Sequence, residues 1–288
     1  MDLRLRLPTI STALVSTDWV AERLGGPGVR VIEASMTPEV YASGHVAGAV
    51  AIDWRRELIE REDESSGKVI DPERFAALAR RLGLRPDDTL IFYGDEGGRH
   101  ATRALWTFEY YKHPGALHWM DGGREKWQAE GRPLLQEAQE AQEAQEAPSV
   151  EPSDYPTPLD TDESVRATRE EIESRLGAAT FAVLDVRTPG EYAGTDVRAA
   201  RGGRIPGARH LFWKACLASD GALKSREELA ALFGDLPREG TVATYCQLGV
   251  RAAHTWFVLR HVLGYANVKS YDGSWQEWGN LRETAIER

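Results

Sequence analysis

Aligned with itself, the 288-residue sequence shows one pattern twice, displaced by about 152 residues, as from Val31 to Val183. Solenoid units repeat every ~20–50 residues, so a period of this length marks a duplicated domain. Val31-Ile32-Glu33 is matched by Val183-Leu184-Asp185, and the stretch 37–41 by 188–192. Gly44-His45-Val46-Ala47-Gly48-Ala49 is matched by Gly203-Arg204-Ile205-Pro206-Gly207-Ala208, Leu90-Ile91-Phe92-Tyr93 by Val242-Ala243-Thr244-Tyr245, and 121–127 by 272–278. Two such copies imply two domains of one design, and function is to be sought where the copies differ.

Within the first copy, apolar β-type runs at 29–32, 90–93 and 117–120 alternate with helix-period segments at 72–82 and 101–111. The second copy repeats the alternation with runs at 181–184, 242–245 and 268–271 and helical segments at 226–233 and 252–263. Such alternation predicts α/β domains, each a mainly parallel sheet flanked by helices. The domains are placed at 10–134 and 161–288. Between them, 135–160 holds four Gln-Glu-Ala repeats ending at Ala147, then Pro148, Pro152, Pro156 and Pro158. These residue types favour helix but offer no apolar stripe to dock, so the segment reads as an exposed linker.

A composition of 42% hydrophobic and 9% aromatic residues supplies packed cores, and a net charge of -10 argues against a broad nucleic-acid or anionic-membrane surface. An anionic ligand must then be caught locally. The start of the chain has Arg4 and Arg6 but no apolar segment behind them, and no run approaches the ~18 apolar residues of a membrane span. A cytoplasmic protein is expected. The two cysteines, Cys216 and Cys246, form no CxxC and no even framework, so free thiols are expected rather than disulfides or a cysteine-rich metal site.

Cys246 stands apart because Cys246-Gln247-Leu248-Gly249-Val250-Arg251 follows a β-type run and opens a helical one. Ligands of parallel sheets bind outside the carboxyl ends of the strands. A loop that leaves a strand there for a helix gathers backbone N–H groups, and the helix N-terminus adds partial positive charge, which together favour a thiolate. Arg251 supplies a fixed cation in the same loop. The first copy has no cysteine; at the equivalent place it has Tyr93-Gly94-Asp95-Glu96-Gly97-Gly98-Arg99, whose carboxylates repel an anion.

The duplication, the Cys246 loop, Leu184-Asp185-Val186-Arg187, the 203–208 motif and Tyr271-Asp272-Gly273-Ser274-Trp275 together resemble the tandem-domain rhodaneses, from about Thr17 to Gly279. This family comprises thiosulfate sulfurtransferases and their 3-mercaptopyruvate relatives. The resemblance implies two rhodanese-like domains, the first inactive and the second catalytic, with Cys246 as nucleophile and neither metal nor other cofactor. It implies thiosulfate or 3-mercaptopyruvate as donor, and cyanide, a thiol or a protein thiol as acceptor. An arginine closing the loop resembles the bacterial thiosulfate enzymes, although Gln247-Leu248 matches neither the Arg-Lys of vertebrate thiosulfate enzymes nor the Gly-Ser of mercaptopyruvate enzymes. Met36 stands where many relatives have tryptophan. A duplicated chain already pairs two domains, so a monomer is expected.

Sulfane-sulfur transfer requires a sulfur nucleophile, a cationic cradle for the sulfonate and shelter for the persulfide. Cys246 is the candidate nucleophile, Arg251 and Arg187 the candidate sulfonate ligands, and the N–H groups of Gln247, Leu248, Gly249 and Val250 the candidate persulfide cradle. Arg187 has a competing reading, an ion pair with Glu191 or Asp185. Cys216 reads as structural, His254 as a core residue, His45 as locally bonded, Asp272 as a turn residue, and His113 and His118 lack partners at metal-ligand spacing. Two other functions share these features. Cysteine phosphatases use C-x5-R; here the arginine comes five positions after the cysteine, a smaller ring suited to sulfur. A persulfide carrier without turnover needs the same loop.

Overall fold

Residues 12–60, 67–136 and 151–288 are described by the computed structural model, and most of the expected linker, 137–150, lies outside the described residues. Each copy builds a five-stranded sheet. The first runs β1 (Leu14–Val15), β5 (Leu117–Met120), β4 (Thr89–Tyr93), β2 (Val29–Glu33), β3 (Val50–Ala51); the second runs β6 (Arg166–Ala167), β10 (Val268–Tyr271), β9 (Thr241–Tyr245), β7 (Phe181–Asp185), β8 (Arg209–His210). Every pairing between these strands is parallel. Both sheets are α/β and flanked by helices, as the alternation predicts. The central strands read as continuous apolar runs because both faces of a parallel sheet are covered; Leu90 to Tyr93 are wholly buried.

Helix starts follow local chemistry. Asp71 caps Arg74 N ahead of Pro72–Arg81, with Pro72 in the first turn, and Ser225 forms a capping box with Glu228 ahead of Arg226–Leu232. Sequence periodicity places one helix at 101–111, whereas it spans Arg99–Tyr110, entered through Gly97 and Gly98 in left-handed backbone. Its counterpart spans Val250–Phe257 and continues through a π turn, Val258–Val262. The edge strands β1, β3, β6 and β8 are two residues each, too short for periodicity to reveal.

These two equivalent helices pack on each other across the domain boundary. Ala101, Ala104, Leu105 and Phe108 of one and Ala252, Ala253, Trp256 and Phe257 of the other belong to one continuous core. Trp119 of the first sheet meets His254 and Phe257 edge-on at 5.4 and 5.0 Å. Polar latches flank this seam: Trp106 Nε1 donates to Val165 O (3.1 Å), and Leu223 N donates to Asp121 Oδ1 (2.8 Å). Asp272 is a latch, not only a turn residue. Its Oδ2 accepts from Val69 N at 2.8 Å across the domains, while Oδ1 accepts from Arg166 Nε at 3.1 Å. Among the described residues no helix is long and apolar enough to cross a membrane.

Asp272→Ala leaves the buried Val69 N–H without an acceptor and the Arg166 guanidinium without its carboxylate, with Tyr110 OH as the remaining acceptor of Arg166. It is expected to lower stability by about 3 kcal/mol in urea unfolding, whereas loss of a mere turn residue would leave the midpoint nearly unchanged.

Candidate active site

The carboxyl ends of β2 and β4 in one half, and of β7 and β9 in the other, carry the same buried network. In the first copy Tyr93 OH donates to Glu33 Oε2 (2.5 Å) and accepts from Val46 N (2.9 Å), and Tyr41 OH donates to Ala49 O. In the second, Tyr245 OH donates to Asp185 Oδ2 (2.5 Å) and accepts from Ile205 N (3.2 Å), and Tyr192 OH donates to Ala208 O. The duplicated motifs are the parts of this network. Burial pushes both tyrosine hydroxyls well up, and the adjacent carboxylates push them further, so they remain donors.

Each network also contains one arginine. Arg124 pairs with Glu33 at 2.8 Å in the first copy, and Arg187 pairs with Asp185 at 2.6 Å in the second. Arg187 further donates to Gly203 O at 2.7 Å, lies 4.4 Å from the Trp275 ring centroid and is 1% exposed. Its donors are thus turned into the protein, and in the copy that lacks a cysteine the matching carboxylate, Glu33, is likewise answered by a buried arginine, Arg124, from another position. The sulfonate role expected for Arg187 is corrected to that of a structural ion pair. The matched Glu33/Asp185 and Tyr93/Tyr245 positions were the available signal.

Cys246 sits where β9 ends, 1% exposed. Its N–H and that of Gly249 both donate to Ser274 Oγ at 3.1 Å, and Ser274 Oγ donates in turn to Tyr271 O at 2.7 Å. Gly249 therefore directs its N–H to a side chain and not to a persulfide, a correction to the expected cradle. Ser274, held at φ +52°, is a site residue that periodicity gave no means of finding. Gly249 turns the chain at φ +74°, and a Cβ there would meet Arg103 Nη1 at 2.7 Å and Asp272 O at 2.8 Å. Gln247 Nε2 donates to Arg198 O and Gln276 Oε1, both at 2.9 Å, anchoring the loop's outer edge. Leu248 lies against the first domain: a Cβ on Gly67 would come within 3.0 Å of its Cα. Val250 is buried and opens the helix.

Arg251 is brought to the cysteine. Its Nη1 and Nη2 donate to Glu191 Oε2 (2.7 Å) and Oε1 (2.8 Å), a bidentate pair whose carboxylate is fully buried and whose guanidinium is 11% exposed. Glu191 is itself fixed by a capping box with Thr188. Burial pushes Glu191 up, but the bonds and charge of Arg251 and the Thr188 bonds outweigh it and hold the carboxyl at about 2. Burial works against the Arg251 cation too, yet Glu191 and the Cys246 sulfur overcome it, so the charge is kept. Arg198, half exposed and 3.9 Å from Glu191, is a further cation at this edge.

The remaining candidates fall away from the loop. Cys216 is buried in the turn Trp213–Cys216, and burial pushes its thiol to about 12. His254 lies edge-on between Trp119 and Trp213, and burial lowers it to about 3, so it is a neutral core residue. His45 stacks on Tyr41, and His113 bonds Tyr155 OH and Asp88 O. Met36 is bound within the first copy, its N–H donating to Asp95 Oδ1 at 2.8 Å. Among the described residues no three His, Cys, Asp or Glu side chains group as a metal site.

A duplicated α/β chain with one cysteine-bearing loop at a sheet's carboxyl edge defines a two-domain protein in which a single half is equipped for thiol chemistry. The family model described as Rhodanese-like domain matches residues 16–130 and 168–281, and the chain belongs to this sulfurtransferase family. It is 41% identical over 281 residues to the sulfur carrier protein TtuD of Thermus thermophilus, covering 93% of this chain and 94% of TtuD. It is 39% identical over 286 residues to a thiosulfate sulfurtransferase of Corynebacterium glutamicum, covering 95% and 90%. Among solved structures, SseA from Escherichia coli, a 3-mercaptopyruvate sulfotransferase, is similar at 25% identity and a TM-score of 0.77, covering 92% of this chain and 99% of SseA.

The Glu191 carboxyl ionises below its ordinary value of 4.5, at about 2. The stabilisation it gives is complete above about pH 4.5 and fades as pH falls through about 2, amounting to roughly 3 kcal/mol at neutral pH. Glu191→Gln should therefore unfold more easily than wild type at pH 7, with the gap closing toward pH 2 in denaturant titrations.

Proposed function

We propose that the protein is a thiosulfate sulfurtransferase that works through a Cys246 persulfide. The observation that carries this reading is the seating of a buried cysteine at the end of β9 beside Arg251, whose cation is fixed by a bidentate carboxylate. The Cys246 thiolate attacks the outer sulfur of thiosulfate; the new S–S bond forms as the S–S bond of thiosulfate breaks, and sulfite leaves with the bonding pair. Arg251 draws the sulfonate and stabilises the charge that grows on it. Cyanide or another thiophile then takes the outer sulfur, returning the thiolate and giving thiocyanate in the cyanide case. With Gly249 bonded to Ser274, the cradle for the persulfide rests on the N–H groups of Gln247, Leu248 and Val250. A cysteine this deeply seated shelters the persulfide from bulky thiols and suits small donors and acceptors.

The first domain, 10–134, has no cysteine and lends a wall to the site through Gly67, while 161–288 is the catalytic domain. A monomer accords with the packing of equivalent helices within one chain, and a cytoplasmic location with two free thiols. 3-Mercaptopyruvate is the rival donor. The likeness to a relative named as a sulfur carrier favours a second reading, a persulfide carrier without turnover.

Intact mass before and after thiosulfate decides among these. Wild type should gain one sulfur atom that cyanide removes, Cys246→Ser should gain none, and turnover should be ping-pong. Gain only with 3-mercaptopyruvate would replace the donor, and stoichiometric gain without turnover would establish the carrier. Arg251→Ala should raise the thiosulfate KM and lower kcat, for a loss of about tenfold to a hundredfold in kcat/KM, the worth of one or two charge-assisted hydrogen bonds. Unchanged kinetics would remove Arg251 from the site.

A further inference from the structure

The helix Arg99–Tyr110 of the first copy carries a cation that no pairing explains. Arg103 is 0% exposed, and among the described residues its Nε and Nη1 have no hydrogen-bond partner. Nη2 alone is engaged, with Gly67 O at 3.1 Å and Leu58 O at 3.5 Å, and the guanidinium carbon lies 4.6 Å from the Trp106 ring centroid. Other buried arginines here have a carboxylate: Arg124 has Glu33, and Arg187 has Asp185. A buried cation without a counterion is among the costliest arrangements a protein can hold, and is retained where an anion answers it at some stage. The nitrogen Nη1 comes against Gly249 of the Cys246 loop, where an added Cβ would lie 2.7 Å away.

We propose that Arg103, donated by the copy that has no cysteine, is a positioning residue of the catalytic loop: its buried guanidinium backs Gly249 and supplies the positive field that holds the Cys246 thiolate and its persulfide as anions. Burial draws Arg103 down to about 10, against which the charges of Asp272 and Cys246 work in turn. The charged and titratable groups that act on Arg103 and Cys246 are Asp272 beyond β10, Arg166 on β6, Tyr111 after the first helix, and Arg251 with Glu191. Asp272 is occupied by Arg166 and Val69, and Arg251 by Glu191, which leaves Arg103 as a cation with no bound carboxylate among the described residues beside the loop. On this account the two domains are retained together because the inactive one completes the electrostatics of the active one.

The inference rests on Cys246 being the nucleophile, so its test uses a readout independent of the sulfur donor. Arg103→Met keeps the stem without the charge, and burying an apolar group in place of an ion is often tolerated or stabilising; Arg103→Lys returns the charge. The rate of iodoacetamide modification of Cys246, followed by peptide mass across pH, should fall about tenfold at neutral pH in Arg103→Met, with the profile displaced to higher pH. Arg103→Lys should recover most of the rate, and sulfur loading from thiosulfate should slow in parallel. Wild-type rates in Arg103→Met, equal slowing in both variants with an unmoved pH profile, or failure of both to fold would overturn the proposal in favour of a structural role. Should wild type take no sulfur from thiosulfate or 3-mercaptopyruvate, the persulfide reading fails, while the modification profiles still decide the part played by Arg103.

Discussion

The seam between the helices Arg99–Tyr110 and Val250–Phe257 is the contact on which the rest of the molecule depends. It removes the apolar faces of two equivalent helices from water and forms one core that spans both domains, beside a separate cluster in each. It also brings the entry turn of the second helix, which is the Cys246 loop, under the first domain. In that dry setting charge is expensive unless answered, so the carboxylates at the carboxyl edges of both sheets are paired with guanidinia, Glu33 with Arg124 in the first and, through two or more bonds each, Asp185 with Arg187 and Glu191 with Arg251 in the second.

Duplication followed by divergence explains the asymmetry of the site. Both halves keep the carboxylate and tyrosine that tie the main strands to the following turns, and each answers the carboxylate with an arginine from a different position, Arg124 in one and Arg187 in the other, since each holds its sheet edge together whether or not chemistry occurs there. On that common frame the second half adds Cys246, the Ser274 hydroxyl that organises the loop and the Glu191–Arg251 pair. The first half carries Asp95 and Glu96 at the corresponding turn, and the Arg99 side chain is paired with Glu96. The turn of the first half is thus acidic, whereas the cysteine loop of the second ends in a cation, in a nearly symmetric molecule.

The parts legible in the sequence were those written in local pattern. The central strands and long helices followed from apolar runs and periodicity, because parallel sheets bury both faces and helices bury one. The two-residue edge strands carried no period to read. Cys246 and Arg251 were legible because strand, loop and helix are contiguous in the chain. Arg187 carries two readings in the sequence for the opposite reason: a basic residue at a strand end looks alike whether it faces a ligand or a carboxylate two residues away. Glu191, Ser274 and Arg103 lie 55, 28 and 143 residues from Cys246, as their numbers show, and no local rule joins them.

By itself the sequence determined that two copies of an α/β domain would form, that one alone would carry a cysteine in the loop after its strand, and that this loop would open a helix. These follow from hydrophobic period, from residue type and from the direction of the chain. Only the tertiary structure decided which cations lie beside the cysteine loop. That choice depends on which side chains are turned inward and satisfied, and on the approach of a helix from the other domain, and the long-range packing of two cores fixes both.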